Sequence, residues 1–167
     1  MALNATVSTA VEGLLNSATA IGSAEYKIAI SKVLTFLDGT GAGQIDRMYH
    51  AQRTLAASAN ESLDFSGSLT NPISGSAVFA RIKYVLVIAA SGNTNNVEVT
   101  RPASNGVPLF MAAGDGISLR PGAKFEFGVT DATGVVVTAG TGDLLTFTNS
   151  AGTTGVTYDI LVLGCSA

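Results

Sequence analysis

The sequence predicts an all-β protein: an antiparallel, jelly-roll-like sandwich of about 8–10 strands, preceded by an N-terminal arm or short helix. Three observations lead to this prediction. Apolar and polar residues alternate in short runs from about residue 25 onward. Turn pairs such as Asn-Gly, Asp-Gly and Pro-Gly separate the runs, and only 13% of the 167 residues are charged, against 47% that are hydrophobic. A chain of this length can bury its own core, so we divide it into an arm, residues 1–22, and one sandwich domain, residues 23–167.

The arm differs in pattern from the rest of the chain. Its apolar side chains recur at helical spacing, and Asn4 stands where an N-cap would precede a helix. Val11 and Gly13 weaken its helix propensity. We interpret the segment as an arm that becomes ordered on a partner or packs on the body; an ordinary N-terminal helix or an extra strand is the alternative. The candidate contact residues are Leu3, Val7, Val11, Leu14 and Leu15.

The predicted strands of the body follow one another with short turns between them. In residues 25–36, apolar side chains from Tyr26 to Phe36 alternate with polar or small ones, as in a half-buried strand. The remaining predicted strands are residues 47–55, 62–65, 78–90, 97–101, 107–112, 116–120, 124–130, 135–138, 144–149 and 156–164. An immunoglobulin-like sandwich is the alternative, but the chain lacks the Trp and the pair of cysteines typical of that fold.

Composition argues against several classes of function. With a net charge of −3 and nine scattered Lys and Arg residues, the chain lacks the basic surface of a nucleic-acid-binding protein. Its longest apolar run, residues 84–90, is too short for a membrane-spanning helix. No Lys or Arg precedes Lys27, so we expect no secretory signal. The low charge predicts that part of the surface is covered by other copies or by a partner.

Candidate catalytic and metal-binding residues are few. The single His50 and the single Cys165 are 115 residues apart, and Cys165 is third from the C-terminus, so we do not expect a nucleophile pair. Asp131, Asp143 and Asp159 are the best carboxylate set for calcium, but they lack calcium-loop spacing. We predict no catalytic residues, no metal, no cofactor and no small-molecule substrate. A hydrolase would be sought at His50, with Asp46 or Asp64 beside it.

Two further patterns invite a chemical interpretation. The glycine-rich residues 39–44 lack the G-K-[ST] ending of a phosphate-binding loop, so we predict a flexible connection there. Glu98 and Glu126 could form a carboxylate pair for sugar cleavage, but each lies mid-strand among apolar neighbours, which favours a solvated face. The absence of Trp also argues against a platform for carbohydrate.

Long stretches of the chain resemble a known family. Recurring pieces are a G-T-G-A-x-Q turn (residues 39–44), an H-x-Q-R-T-L-A-A run (residues 50–57) and a T-A-G-T-G-D-L-L run (residues 138–145). Through these pieces, residues 35–70 and 131–167 resemble a small family of virion structural proteins of tailed bacteriophages and prophages.

The resemblance implies a capsid cement or decoration protein. It implies a jelly-roll homotrimer on the capsid exterior that bridges major capsid proteins and has no catalytic residues; the protein would be made in the cytoplasm of the host bacterium. The arm residues named above would then be contacts with the capsid or with a neighbouring subunit. A head–tail component, or a tail or spike module that binds glycans, is the alternative.

Overall fold

The computed structural model describes residues 2–67, 69–71, 73 and 75–167. Its fourteen strands confirm the all-β prediction: β1 (Ala5–Thr19), β2 (Gly22–Asp38), β3 (Gln44–Ile45), β4 (Arg47–Leu55), β5 (Asn60–Asp64), β6 (Thr70–Asn71), β7 (Gly75–Ser76), β8 (Arg81–Ala89), β9 (Val97–Thr100), β10 (Gly116–Leu119), β11 (Lys124–Gly128), β12 (Val135–Val136), β13 (Leu144–Asn149) and β14 (Val156–Cys165). None of these residues forms a helix, so the helical alternative for the arm is wrong.

Two antiparallel sheets form the body. The first has the strand order β11-β8-β14-β4, with the short β12 also paired to β8, and the second has the order β10-β9-β13-β5. Side chains from both sheets, among them Val85, Val99 and Ile160, share one continuous buried core. Across the gap between the sheets, the ring of Phe147 on β13 stacks on that of Tyr158 on β14, with centroids 4.5 Å apart. The body is therefore a β-sandwich.

The first two strands form a separate, long hairpin. They pair antiparallel without interruption from Ala5 opposite Phe36 to Thr19 opposite Gly22, around a two-residue turn at residues 20–21. The predicted boundary at residue 22 therefore falls at the tip of this hairpin, and its second strand continues to residue 38. The short β3 pairs in parallel with the end of β2 and links the hairpin to the sandwich.

One predicted strand is absent. Residues 107–112 alternate in hydrophobicity but form a loop, and the isolated bridge to Leu144 is made by the preceding residue, Gly106. The guanidinium of Arg101 donates to the carbonyl oxygens of Phe110 and Met111 at 2.9 and 3.0 Å. These carbonyls are thus satisfied by a side chain instead of a neighbouring strand.

Candidate functional site

The open end of the hairpin is closed by two reciprocal hydrogen bonds. The backbone N–H of Leu3 donates to Asp38 Oδ1 at 2.9 Å, and the N–H of Asp38 donates to Asn4 Oδ1 at 3.1 Å. Asn4 therefore ties the two strands together and does not cap a helix.

The base of the hairpin packs on the outside of the sandwich. Phe36 is fully buried and forms a second apolar cluster with Ile45, Tyr84 and Leu163, separate from the main core. Tyr84 and Leu163 are paired neighbours on β8 and β14, and their side chains point away from the main core. Half-buried side chains surround this cluster: Leu3, Ala5, Val7, Leu34, Met48, Leu86 and Leu161.

From this cluster the hairpin crosses the sheet toward its edge strand, β11. Thr9 Oγ1 donates to Glu126 Oε1 at 2.8 Å, and Lys124 Nζ donates to Glu126 Oε2 at 3.0 Å. Both hydrogen bonds lower the pKa of Glu126, and the one from Thr9 has the larger effect. Burial, and secondarily the Glu126 charge, raise the pKa of Tyr84 to about 12. Thr9 is the last half-buried residue of β1; every later residue of the strand is exposed.

The turn that follows the hairpin is folded tightly around one side chain. Gly41 N–H donates to Gln44 Oε1 at 2.8 Å, and a Cβ at Gly39 would lie 2.7 Å from Gln44 Cδ. Cys165 Sγ lies 3.4 Å from the carbonyl oxygen of Gln44. The glycine-rich residues therefore form a defined, hydrogen-bonded turn.

The distal part of the hairpin is uncovered. Every residue from Ala10 to Val33 is exposed to solvent. Directly paired residues of antiparallel strands lie on the same face. The register therefore places five large side chains on one face, which we call the hairpin face: Val11 (57% exposed), Leu15 (68%), Tyr26 (65%), Ile28 (43%) and Ile30 (66%). The opposite face is mainly polar, with residues such as Glu12, Asn16, Lys27 and Ser31.

The five predicted contact residues are divided among three places. Leu3 and Val7 pack at the base of the hairpin against the second cluster. Val11 and Leu15 belong to the hairpin face, whereas Leu14 points to the opposite side and is 54% exposed. The sequence predicts Tyr26, Ile28 and Ile30 as part of an alternating strand but does not identify them as contact residues. Nothing in the sequence shows that this strand pairs with β1.

Next to the hairpin base, the sandwich leaves an apolar strip open. We call Leu86, Ile88 and Leu161 the outer strip; they are neighbours on β8 and β14. Ile88 is 37% exposed and the two leucines are half-buried. A shallow depression of about 110 Å³ lies here, bordered also by His50 and Asp159.

A polar cluster lies where β4, β5 and β14 meet. Arg53 Nε donates to Glu61 Oε2 at 2.8 Å and Tyr158 Oη donates to Glu61 Oε1 at 2.8 Å; Arg53 also contacts Tyr49 Oη at 3.2 Å. Burial alone would raise the pKa of Glu61, but the hydrogen bonds from Arg53 and Tyr158 outweigh it and lower the pKa. Burial and the Glu61 carboxylate raise the pKa of Tyr158. The groups satisfy one another, which favours a structural role.

The residues considered for hydrolysis do not come together. Among the described residues, no hydrogen bond joins His50 to Asp46 or Asp64. Asp46 accepts from Ser166, and Asp64 accepts from Ser66. The sugar-cleavage pair is also divided, since Glu98 is on β9 and Glu126 is on β11 of the other sheet.

The calcium candidates are likewise separate. Asp131 accepts from the N–H groups of its own turn, at Thr133 and Gly134, which lowers its pKa. Asp159 accepts from Gln52 on the outside of the sandwich at 3.1 Å. Asp143 is buried and its Oδ2 accepts from Ser66 at 2.8 Å, while its Oδ1 has no hydrogen-bond partner. In the described part of the chain, no three His, Cys, Asp or Glu side chains are grouped to hold a metal ion.

The chain was compared with known proteins in three ways. No family, no curated protein and no solved structure matches it. The described residues also contain no helix that could span a membrane.

Proposed function

We propose that this protein is a non-catalytic structural component of a tailed-phage virion. It acts as a capsid cement or decoration protein, forms a homotrimer on the capsid exterior and bridges major capsid proteins. The likeness of residues 35–70 and 131–167 to virion proteins supports the phage assignment. The exposed hairpin supports the role in assembly.

The observation that carries this proposal is the uncovered apolar hairpin. An isolated two-stranded hairpin has marginal stability in water, and both strands present unpaired edges. Here the exposed stretch of 24 residues, Ala10 to Val33, includes the five large apolar side chains of the hairpin face. Apolar patches of this kind on a soluble chain mark sites of interaction. The hairpin therefore fits a protein that works in an assembled state.

We infer that the sandwich is a jelly roll. Its eight main strands are β4, β5, β8, β9, β10, β11, β13 and β14, four in each sheet. Numbered one to eight in that sequence, they have the order 1-8-3-6 in one sheet and 2-7-4-5 in the other. Pairing of early strands with late ones in both sheets fits two interleaved Greek keys.

A shell gains stability from such a protein by mass action. A subunit that binds only the assembled shell shifts the equilibrium toward it. A trimer presents the same contact three times, so weak single contacts combine into tight binding. For this role the protein needs a folded body and an exposed segment that attaches it to the shell. It needs no reactive group.

Binding to shells tests the proposal. Virus particles prepared without this protein are titrated with the purified chain, and the bound copies are counted by gel against the main shell protein. We expect saturable binding in a fixed ratio to the shell protein, and shells that resist higher temperature. No binding to shells would contradict the proposal. Binding to a few tail sites or to cell-surface sugar would replace it with the tail or spike alternative.

A matched variant tests the role of the hairpin in that binding. Residues 10–31 are replaced by Asn-Gly, which joins Thr9 and Lys32, two residues that stand opposite each other, through a favoured two-residue turn. We expect a folded body by circular dichroism and at least about 30-fold weaker binding to shells. Binding of unchanged strength would show that the hairpin has no part in attachment.

A further inference from the structure

We propose that the hairpin face docks on the outer strip of a second copy of this chain, and that repetition of this contact closes the homotrimer. This inference rests on the proposed function only in treating the chain as an assembly subunit. Attachment to a capsid is a separate property.

The chain already makes the same kind of contact with itself. At the base of the hairpin, Val7, Leu34 and Phe36 project from the same face as the five exposed residues, and they pack on the outside of β8 and β14. Between Thr9 and Leu34 every residue of the hairpin is exposed. The hairpin face therefore continues past the sheet on which it began, and the outer strip of that sheet remains open.

A second copy supplies what each surface lacks. Each chain has one uncovered hairpin face and one outer strip, both apolar. The hairpin of one chain can cover the strip of the next while its own strip receives another hairpin. Such a head-to-tail contact forms a closed ring when the rotation between copies divides a full turn. A rotation of one third of a turn closes the ring with three copies, the number in the proposed homotrimer.

The middle of the hairpin is shaped to receive a side chain. Gly13 stands directly opposite Ile28 in the register and leaves a gap on the hairpin face between Val11 and Leu15. A Cβ added at Gly13 would have Ile28 Cβ as its nearest neighbour, at 3.8 Å, which is an ordinary contact distance. The isolated chain therefore has room for a larger residue at this position. A projecting side chain such as Ile88 of another copy would fit this gap.

The contact area is sufficient for a specific interface. The five side chains of the hairpin face each expose on the order of 100 Å² of apolar surface, roughly 500 Å² in all. The outer strip alone exposes less than this, since its two leucines are half-buried. With the residues around the strip included, an equal area on the second copy gives about 1,000 Å² in total, the lower limit for a specific protein–protein interface. In a ring, every copy takes part in two such contacts.

Charge does not oppose pairing of identical chains at this surface. Between Ala10 and Val33 the charged residues are Glu12, Glu25, Lys27 and Lys32, which sum to zero. Three of these charges, Glu12, Glu25 and Lys27, lie on the face opposite the hairpin face. Docking therefore buries few charges and brings together no net charge of one sign.

Two neighbouring substitutions test the docking. Ile30→Glu places a carboxylate on the hairpin face, and Ser31→Glu places the same group on the opposite face of the same strand. Both positions are exposed, so neither substitution should unfold the isolated chain. We expect wild type and Ser31→Glu to form trimers by light scattering, and Ile30→Glu to raise the dissociation constant of the trimer at least about 30-fold. A monomeric wild type, or equal effects of the two substitutions, would overturn the proposal.

Disulfide trapping identifies the surface on which the hairpin docks. Chains with Ile30→Cys are mixed with chains carrying Ile88→Cys; the native Cys165 is buried and cannot compete. We expect disulfide-linked dimers in the mixture and few in either variant alone. Dimers that form from Ile30→Cys alone would show that hairpins pack on one another, and that the outer strip is not the docking surface. Shell binding by a protein that stays monomeric would refute the docking and the homotrimer but leave the role in capsid attachment intact, whereas a trimer that does not bind shells would refute capsid attachment and leave the docking intact.

Discussion

Replacement of Phe36 by alanine should release the hairpin from the sandwich. The Phe36 side chain is fully buried among Ile45, Tyr84 and Leu163, in a cluster separate from the main core. Truncation of a buried phenylalanine to alanine costs about 3–5 kcal/mol, because apolar burial is lost and a cavity remains. The loss falls on the contact that fixes the hairpin base, since every residue from Ala10 to Val33 is exposed and none of them packs on this cluster.

Native-state hydrogen exchange measures this effect strand by strand. At a concentration where the chain is monomeric, the paired amides of β1 and β2 near Val7 and Leu34 should lose at least about 100-fold of their protection, since each 1.4 kcal/mol corresponds to a factor of ten. Amides of β8 and β14 should keep strong residual protection, because the main core is untouched.

A neighbouring position provides the control. Leu37 is adjacent on β2, points to the opposite side and is 59% exposed, so Leu37→Ala should change stability by less than about 0.5 kcal/mol. A fall in the protection of β8 and β14 in Phe36→Ala to the same residual level as that of the hairpin would contradict separate release of the hairpin. In that case the hairpin and sandwich would unfold as one cooperative unit.

Two further predictions concern groups inside the body. The pKa of Glu61 is lowered in the folded state, so its stabilisation is complete above the unfolded value of about 4.3 and is lost as the pH falls through the folded pKa. Glu61→Gln should therefore cost about 1–2 kcal/mol at pH 7 in urea denaturation and less at pH 3; an equal cost at both would contradict the ion pair with Arg53. Cys165 is buried, and burial raises its pKa, so a thiol reagent should label it far more slowly in native protein than in urea. Rapid labelling of the native chain would show that the turn around Gln44 opens.

The central strands could be predicted because their local signals agree with their final environment. Residues 47–55 and 144–149 were predicted with the bounds that the structure has, since each alternates cleanly and ends at a turn. The strand predicted over residues 78–90 is shorter in the structure, Arg81–Ala89. It is apolar on both faces because each face is covered by a different part of the molecule. Val85 and Val87 face the main core, while Tyr84 lies beneath the hairpin base on the other side.

The secondary-structure predictions were wrong where a residue distant in sequence determines the backbone conformation. Residues 107–112 have the alternation of a strand, but Arg101 takes the carbonyl oxygens that a neighbouring strand would need. The helical spacing in the arm is real, but the same side chains also fit a strand that pairs with β2 over its full length. Pairing with a neighbour satisfies every second backbone group and outweighs a weak helix propensity.

Periodicity, turn residues and composition are local properties of the chain, and they suffice to predict the all-β class, the position of most turns and the scarcity of surface charge. Which apolar side chains become covered depends instead on how the hairpin packs against the sandwich. Leu34 and Ile30 belong to one alternating strand, yet one is half-buried on the sandwich and the other is 66% exposed beyond its edge. The difference is physical: burial depends on what lies opposite a residue in space, and the hairpin extends farther than the sheet that supports it.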